Sequence, residues 1–270
     1  DKLIYGMDDA QPGEYLTDYM TRKMVDYLKT PRSRPFFAIC SFYAVHTPLE
    51  AKQEMINRYE MKIEKMGLEE DPMKKEEAGD CKTQQDHSVY AAMIESVDEG
   101  IGKMVEALKA TGQYDHTIIV LISDHGGLSN RGNKRELATT NAPLKAGKGH
   151  LYEGGLRVPM LIHLPGQKKN KACDLPVMSF DLLPTLADLC NVPVDGKAEL
   201  DGMSLKPVLT GKNLPALATR DLFWHKASQR PTSTGDYVST AIRSGRYKLL
   251  DFYQQNRIEL YDLQSDPGEN

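Results

Sequence analysis

No apolar stretch in these 270 residues approaches the roughly 20 that a membrane-crossing helix needs. Asp1-Lys2-Leu3-Ile4 lack the features of a signal peptide. Charge of one sign is also missing: the net charge is −4 and no basic run is long enough to argue for nucleic acid. Cysteine is sparse. Cys40, Cys81, Cys173 and Cys190 stand far apart, with no CxxC and no Cys/His zinc spacing. Any of the three pairings of four cysteines stays open, but Cys40 and Cys190 lie in apolar runs, so buried free thiols are expected over bridges. There is no internal repeat. What remains is an ordinary globular composition, 40% hydrophobic and 27% charged, long enough for one large domain or a domain with a small appendage.

The centre of the chain is Thr117-Ile118-Ile119-Val120-Leu121-Ile122-Ser123-Asp124-His125-Gly126-Gly127. Its unbroken apolar run reads as a strand buried on both faces, as in a parallel sheet flanked by helices. The run ends in a polar triplet and two glycines, and open α/β sheets place ligands at that end of a strand. Asp124 and His125 would leave the core side by side, able to bind a metal. The same residues also fit a turn-capping aspartate beside a surface histidine.

Earlier in the chain, Tyr15, Leu16, Tyr19, Met20, Met24, Tyr27 and Leu28 form one stripe of an amphipathic helix over 14–29. Thr30-Pro31 stops it. Phe36–Tyr43 reads as a second buried strand, ending at His46-Thr47-Pro48. Residues 52–87, rich in Lys, Glu and Met, read as a solvated excursion with short helical pieces. A helix follows from Ser88, with Val89, Met93, Val97, Ile101, Met104, Val105 and Leu108 as its core stripe and Gly112 past its end. Strand, helix and strand at this spacing predict a right-handed βαβ crossover.

Leu128 to Ala146 is a polar loop over the crevice. In Gly147-Lys148-Gly149-His150-Leu151-Tyr152-Glu153-Gly154-Gly155-Leu156-Arg157, the glycines imply a close backbone approach, without the spacing of a phosphate-binding P-loop. Met160–Leu164 is a further strand, and Met178–Leu189 a helix capped by Asp181. After Gly211 short strands and turns predict an antiparallel appendage, with a hairpin at Ile242–Tyr247. The expected architecture is α/β: a mainly parallel sheet flanked by helices over 1–215, then a small antiparallel β subdomain over 216–270.

His46-Thr47-Pro48, Ser123-Asp124-His125-Gly126 and the glycine-rich stretch from Gly147 to Pro159 together resemble the type I sulfatases. These are the formylglycine-dependent members of the alkaline phosphatase superfamily. Phe180-Asp181-Leu182-Leu183-Pro184-Thr185, Asp201-Gly202-Met203-Ser204-Leu205 and Glu259-Leu260-Tyr261-Asp262-Leu263 with Asp266-Pro267 extend the resemblance over nearly the whole chain.

The resemblance implies hydrolysis of a sulfate ester of a carbohydrate or aryl substrate, with Ca2+ as the metal. Asp124 and His125 match metal ligands. Lys148 matches the lysine on a sulfate oxygen, and His46 the histidine beside the leaving group. His150 and His225 become candidate substrate contacts, although His150 also fits an exposed loop histidine, and Arg157 is expected to pair with a carboxylate. Asp221 and His225 imitate a metal pair but lie in an aromatic strand without further ligands.

None of the four cysteines stands in the family's nucleophile context, and its paired metal aspartates have no counterpart in this chain. The expectation is a sulfatase fragment, inactive alone, whose formylglycine lies upstream. An extracytoplasmic location, no nucleic-acid partner and no membrane span complete it. A phosphoesterase or phosphonate hydrolase of the same superfamily, and a non-catalytic sulfatase-like binding protein, are the alternatives.

Overall fold

The computed structural model describes residues 7–68, 72–76, 79–131, 136–167, 170–196, 199–228 and 237–270. It divides into two compact units, residues 1–168 with 230–236, and 169–229 with 237–270. No described helix is long and apolar enough to cross a membrane.

In the first unit three helices pack together. Helix α1 (Leu16–Lys29) is the expected amphipathic helix, stopped at Thr30 before Pro31. Helix α2 (Gln53–Met66) lies in the lysine- and glutamate-rich segment and ends where Gly67 turns left-handed. Helix α3 (Ser88–Ala110) begins where His87 accepts the Tyr90 amide and ends before Gly112.

The fully buried side of α3 differs from the expected aliphatic stripe. Beside Met93 and Leu108 it consists of Ala92, Ser96, Gly100 and Ala107. Small residues let neighbouring helices approach: the Ser96 hydroxyl lies 3.2 Å from the Met55 sulfur of α2. A Cβ on Gly100 would stand 2.4 Å from Thr21 Oγ1 of α1. That oxygen is held by its bond to Thr17 O, so it has little room to yield. Gly100→Ala is expected to destabilise this unit by about 1–2 kcal/mol, because overpacking outweighs the roughly 1 kcal/mol gained in helix propensity. Urea melts should show Thr21→Ala recovering most of the loss; equal melts for Gly100→Ala and the parent would remove the contact.

A hairpin of β1 (Met73–Glu76) and β2 (Gly79–Lys82) follows α2. The central run forms β3 (Ile119–Ile122). Strand β2 also pairs with the short β4 (Asn130–Arg131), and β3 pairs with β5 (Met160–His163).

Here the expected strand directions are corrected. β3 and β5 run antiparallel, and no parallel ladder exists among the described residues. Phe36–Tyr43 pairs with no strand among the described residues; Phe36, Cys40 and Phe42 are half-buried while Phe37, Ile39 and Tyr43 are exposed. An apolar run specifies a strand that wants cover, not the direction of its neighbour. With one partner, β3 is only half-buried, and Leu121 and its cross-strand mate Leu161 face solvent. Its inner end is covered by α1 and α3, with Ile119 packed on Leu28, Ala107 and Leu108.

The second unit carries the expected antiparallel sheet, four strands in sequential order: β6 (Asp221–Lys226), β7 (Ser239–Ser244), β8 (Tyr247–Phe252) and β9 (Arg257–Asp262). The β7–β8 turn falls at Gly245-Arg246, inside the anticipated hairpin. Its buried side holds Leu222, Ala241, Leu250 and Phe252, together with Lys248. Lys248 Nζ meets Glu269 Oε1 at 2.9 Å, and both side chains are wholly inaccessible.

Helix α5 (Leu182–Leu189) lies in this unit, after the single turn α4 (Glu153–Leu156) of the first. Asp181 does not cap α5 with its side chain, correcting that expectation. Its carboxylate turns away to accept the Met178 and Met203 amides and the Arg220 guanidinium. All four cysteines are free thiols. Cys81 is buried, Cys40 half-buried and Cys190 exposed, so burial at Cys190 is also corrected.

Candidate active site

Strand β3 delivers Ser123, Asp124 and His125 to its end, and the next residues are tied to the glycine-rich loop by main-chain bonds. Gly126 N donates to Gly155 O, and Lys148 N to Gly127 O, both at 3.0 Å. Gly154 N donates to Lys145 O and His150 N to Gly147 O. A Cβ on Gly147 would lie 2.2 Å from Gly127 O, so only glycine allows the two backbones to meet. The anticipated close approach is therefore real, and its partner is the Asp124-His125 turn.

The geometry at that turn constrains the protons. His125 Nδ1 lies 2.9 Å from Gly126 O. A carbonyl can only accept, so Nδ1 carries a proton, and in the neutral ring Nε2 presents a lone pair. That Nε2 stands 3.0 Å from Asp124 Oδ2. Two electron-rich atoms so close require a cation, a proton on Nε2 or a metal ion. Metal-bound histidines commonly anchor their other nitrogen on a carbonyl in this way. The Asp124 side chain is 82% exposed and accessible to an ion.

One carboxylate and one imidazole fit part of a divalent-metal shell, whereas calcium takes 6–8 oxygen-rich ligands. Among the described residues no group of three or more His, Cys, Asp or Glu could hold a metal.

His46 is exposed, and its hydrogen bonds stay in its own loop: its amide donates to Tyr43 O and Nδ1 lies 2.8 Å from Thr47 O. By the same argument Nδ1 is the donor. His150 is not an exposed loop histidine. Only 6% of it is accessible, and its Nε2 is 2.7 Å from Asn130 Nδ2. Arg157 is exposed and pairs with no carboxylate among the described residues, correcting the expected internal partner. In the second unit His225 is exposed on β6, its Nδ1 2.9 Å from Thr240 Oγ1, with the Tyr253 hydroxyl on the same threonine.

Sequence reasoning passed over Asn141, which sits in a stretch read only as a polar loop. Its amide accepts from Gly127 N at 3.0 Å and donates toward Gly127 O, Ser129 Oγ and Ala146 O at 2.8–2.9 Å. The missed signal is the pair Gly127 and Gly147, whose bare Cα atoms leave room for that side chain.

The sulfatase family profile matches residues 2–192, and one for the C-terminal part of N-sulphoglucosamine sulphohydrolases matches 146–270. A sulfatase of Formosa agariphila is 30% identical over 95% of this chain, covering 45% of that protein. The crystal structure of Ps i-CgsB in complex with k-i-k-neocarrahexaose superposes with a TM-score of 0.75 at 31% identity, covering 97% of this chain and 51% of the other. A protein solved with its substrate, D-glucosamine-2-N,6-O-disulfate, is 29% identical with a TM-score of 0.52, over 67% of this chain and 35% of its own. This chain thus spans about half the length, or less, of the relatives it matches. Its fold is the alkaline phosphatase-like α/β fold of those structures, with the four-stranded antiparallel sheet at its C-terminal end. The sulfatase family is consistent with use of a metal and a formylglycine. With its profile matched across most of the residues and its fold shared, the chain belongs to the sulfatase family.

Proposed function

We propose that this chain supplies the sulfate-binding side of a sulfuric-ester hydrolase acting on a sulfated saccharide or aryl sulfate. The observation that carries the reading is the Asp124–His125 pair: Oδ2 and Nε2 at 3.0 Å, next to the turn that holds Lys148. In this reading Asp124 and His125 are ligands of a calcium ion, which when bound supplies positive charge to a sulfonyl oxygen. Lys148 neutralises charge on another oxygen as the ester cleaves. His46 acts as an imidazolium: its Nδ1 proton is engaged by Thr47 O, and its second proton, on Nε2, passes to the departing oxygen. Buried His150 braces the Lys148 loop through its amide bond to Gly147 O in place of the expected substrate contact, and His225 contacts substrate.

The nucleophile belongs to a formylglycine outside this chain, and the enzyme works outside the cytoplasm. The functional division falls near residue 215: the groups for metal and sulfate precede it, and His225 follows it.

The test is turnover of sulfated saccharides by an active enzyme bearing this chain, with the His46→Ala variant beside it. Loss is expected to be about 10²–10⁴-fold for a sugar sulfate, whose alkoxide leaves poorly, and small for nitrophenyl sulfate, whose phenolate needs no proton. Equal losses would strip His46 of the acid role. Preference for phosphate monoesters over sulfate esters would favour the phosphoesterase alternative. The 270-residue chain alone is expected to show neither turnover nor micromolar calcium affinity.

A further inference from the structure

We infer that Asn141 is a positioning residue, the staple that sets the distance between the Asp124-His125 turn and the loop carrying Lys148. This rests on the functional reading above and adds a residue to it. Three features of the site point the same way.

First, the Asn141 side chain bonds both halves of the site at once. Oδ1 accepts from Gly127 N and Nδ2 donates toward Gly127 O, bracketing the residue two after His125. The same Nδ2 donates toward Ala146 O, the residue two before Lys148. Second, the site is shaped around this amide. A Cβ on Gly147 would come 2.6 Å from Asn141 Nδ2, and one on Gly127 would come 3.2 Å from Oδ1 and 2.6 Å from Thr139 Cγ2. Third, the network closes. Ser129 Oγ accepts from Asn141 and donates to Ala146 O at 2.8 Å, while Lys148 N donates to the same Gly127 O that Asn141 holds.

The staple is itself anchored: Gln85, just before α3, donates to Thr139 Oγ1 and Thr140 O, fixing the residues that lead into Asn141. Nothing in this arrangement places Asn141 against substrate. Its polar atoms serve Gly127, Ser129 and Ala146, so it acts through Lys148 and the metal-ligand turn. A preorganised charge loses its effect when the shell that orients it loosens. Asparagine suits the role, since one planar group both accepts and donates; aspartate keeps the acceptor for Gly127 N but faces the Gly127 and Ala146 carbonyls with a charge.

Two measurements test this. In the 270-residue chain, amide hydrogen exchange of Asn141→Ala should accelerate at Lys148 N–H by about tenfold or more, with the α3 amides unchanged. Lys148 N–H does not bond Asn141, so the acceleration reports transmission through Gly127 O. An unchanged Lys148 rate overturns the proposal. Should Asn141→Ala fail to fold, Asn141→Asp, which keeps the volume and one bond, replaces it with the same expectation.

In an active enzyme bearing this chain, Asn141→Ala should lower kcat for a sulfate ester by about 10–100-fold with KM changed by less than about threefold. Added to Lys148→Ala, it should cost less than about twofold more, because a staple has nothing left to position. Full additivity with a costly Lys148→Ala overturns the staple and leaves the functional reading standing. A silent Lys148→Ala overturns the functional reading, and with it the catalytic sense of the staple.

Discussion

In an active enzyme bearing this chain, Lys148→Ala is expected to lower kcat/KM toward a sulfate ester by about 10²–10³-fold, roughly 3–4 kcal/mol of transition-state stabilisation. An ammonium about 4 Å from an anionic oxygen is worth on the order of 4 kcal/mol at an effective dielectric near 20. Charge on the sulfonyl oxygens grows as the ester cleaves, so the loss should fall on kcat more than on KM. Truncating the side chain leaves the main chain in place, since Lys148 N keeps its bond to Gly127 O and the loop its contacts through Gly154 and Gly155. The melting temperature should therefore stay within a few degrees of the parent. Lys148→Arg should recover only part of the rate, because a planar fork does not reproduce a compact ammonium. A loss below tenfold for Lys148→Ala would remove the lysine from the chemistry. A melting temperature that falls in step with the rate would make its role structural.

How much of this was legible differs from element to element. Helix α3 and its end before Gly112 were readable because the 3.6-residue pattern is long and its stop is local. Its inward side was also readable, with Met93 and Leu108 buried and the rest of the stripe half-buried, but the small residues that pack most tightly on that side were not. The packing is decided by Thr21 and Met55 on other helices, which favour Gly100 and Ser96 over the larger aliphatic residues. The β7–β8 hairpin was readable from its turn residues. The direction of β5 beside β3 was not, because apolar runs carry no direction and the choice is made by long-range pairing.

At the site, the glycines around Lys148 announced a close approach but not its partner. The partner, Gly127, follows the aspartate and histidine that stood out for a separate reason. Asn141 carried no pattern at all: a single amide in a polar loop looks like any turn residue until the bonds to Gly127 and Ala146 are seen. Asp181 was singled out for the wrong partner. Aspartate before a helix reads as a cap, yet the three-dimensional surroundings offer an arginine 39 positions later.

That arginine makes Asp181 one of the buried charges that hold the second unit together, beside the Lys248–Glu269 pair. Asp181 is fully buried, and Arg220 Nη1 donates to Oδ1 at 2.7 Å while Nη2 engages Oδ2. The Met203 and Met178 amides complete the carboxylate's shell at 2.8 and 2.7 Å. Asp181→Ala strands a nearly buried guanidinium and two amides, and is expected to cost about 3–5 kcal/mol, a large share of the roughly 5–15 kcal/mol that keeps an ordinary domain folded.

The pH dependence follows from the same contacts. Burial alone pushes the carboxyl upward, but Arg220 and the two amides outweigh it and hold it below its usual value. A carboxyl whose folded pKa is depressed contributes stability above its unfolded pKa, near 3.9, and loses it as the pH falls through the folded value. Urea melts between about pH 6 and pH 2.5 should show the parent losing stability below about pH 4. Asp181→Asn removes the titrating group and leaves an amide N–H against the guanidinium. It should be weaker at pH 6 and flatter below pH 4. An acid limb as steep in Asp181→Asn as in the parent would assign the acid sensitivity to other groups, and a loss under about 1 kcal/mol for Asp181→Ala would deny this pair its place in holding the unit together.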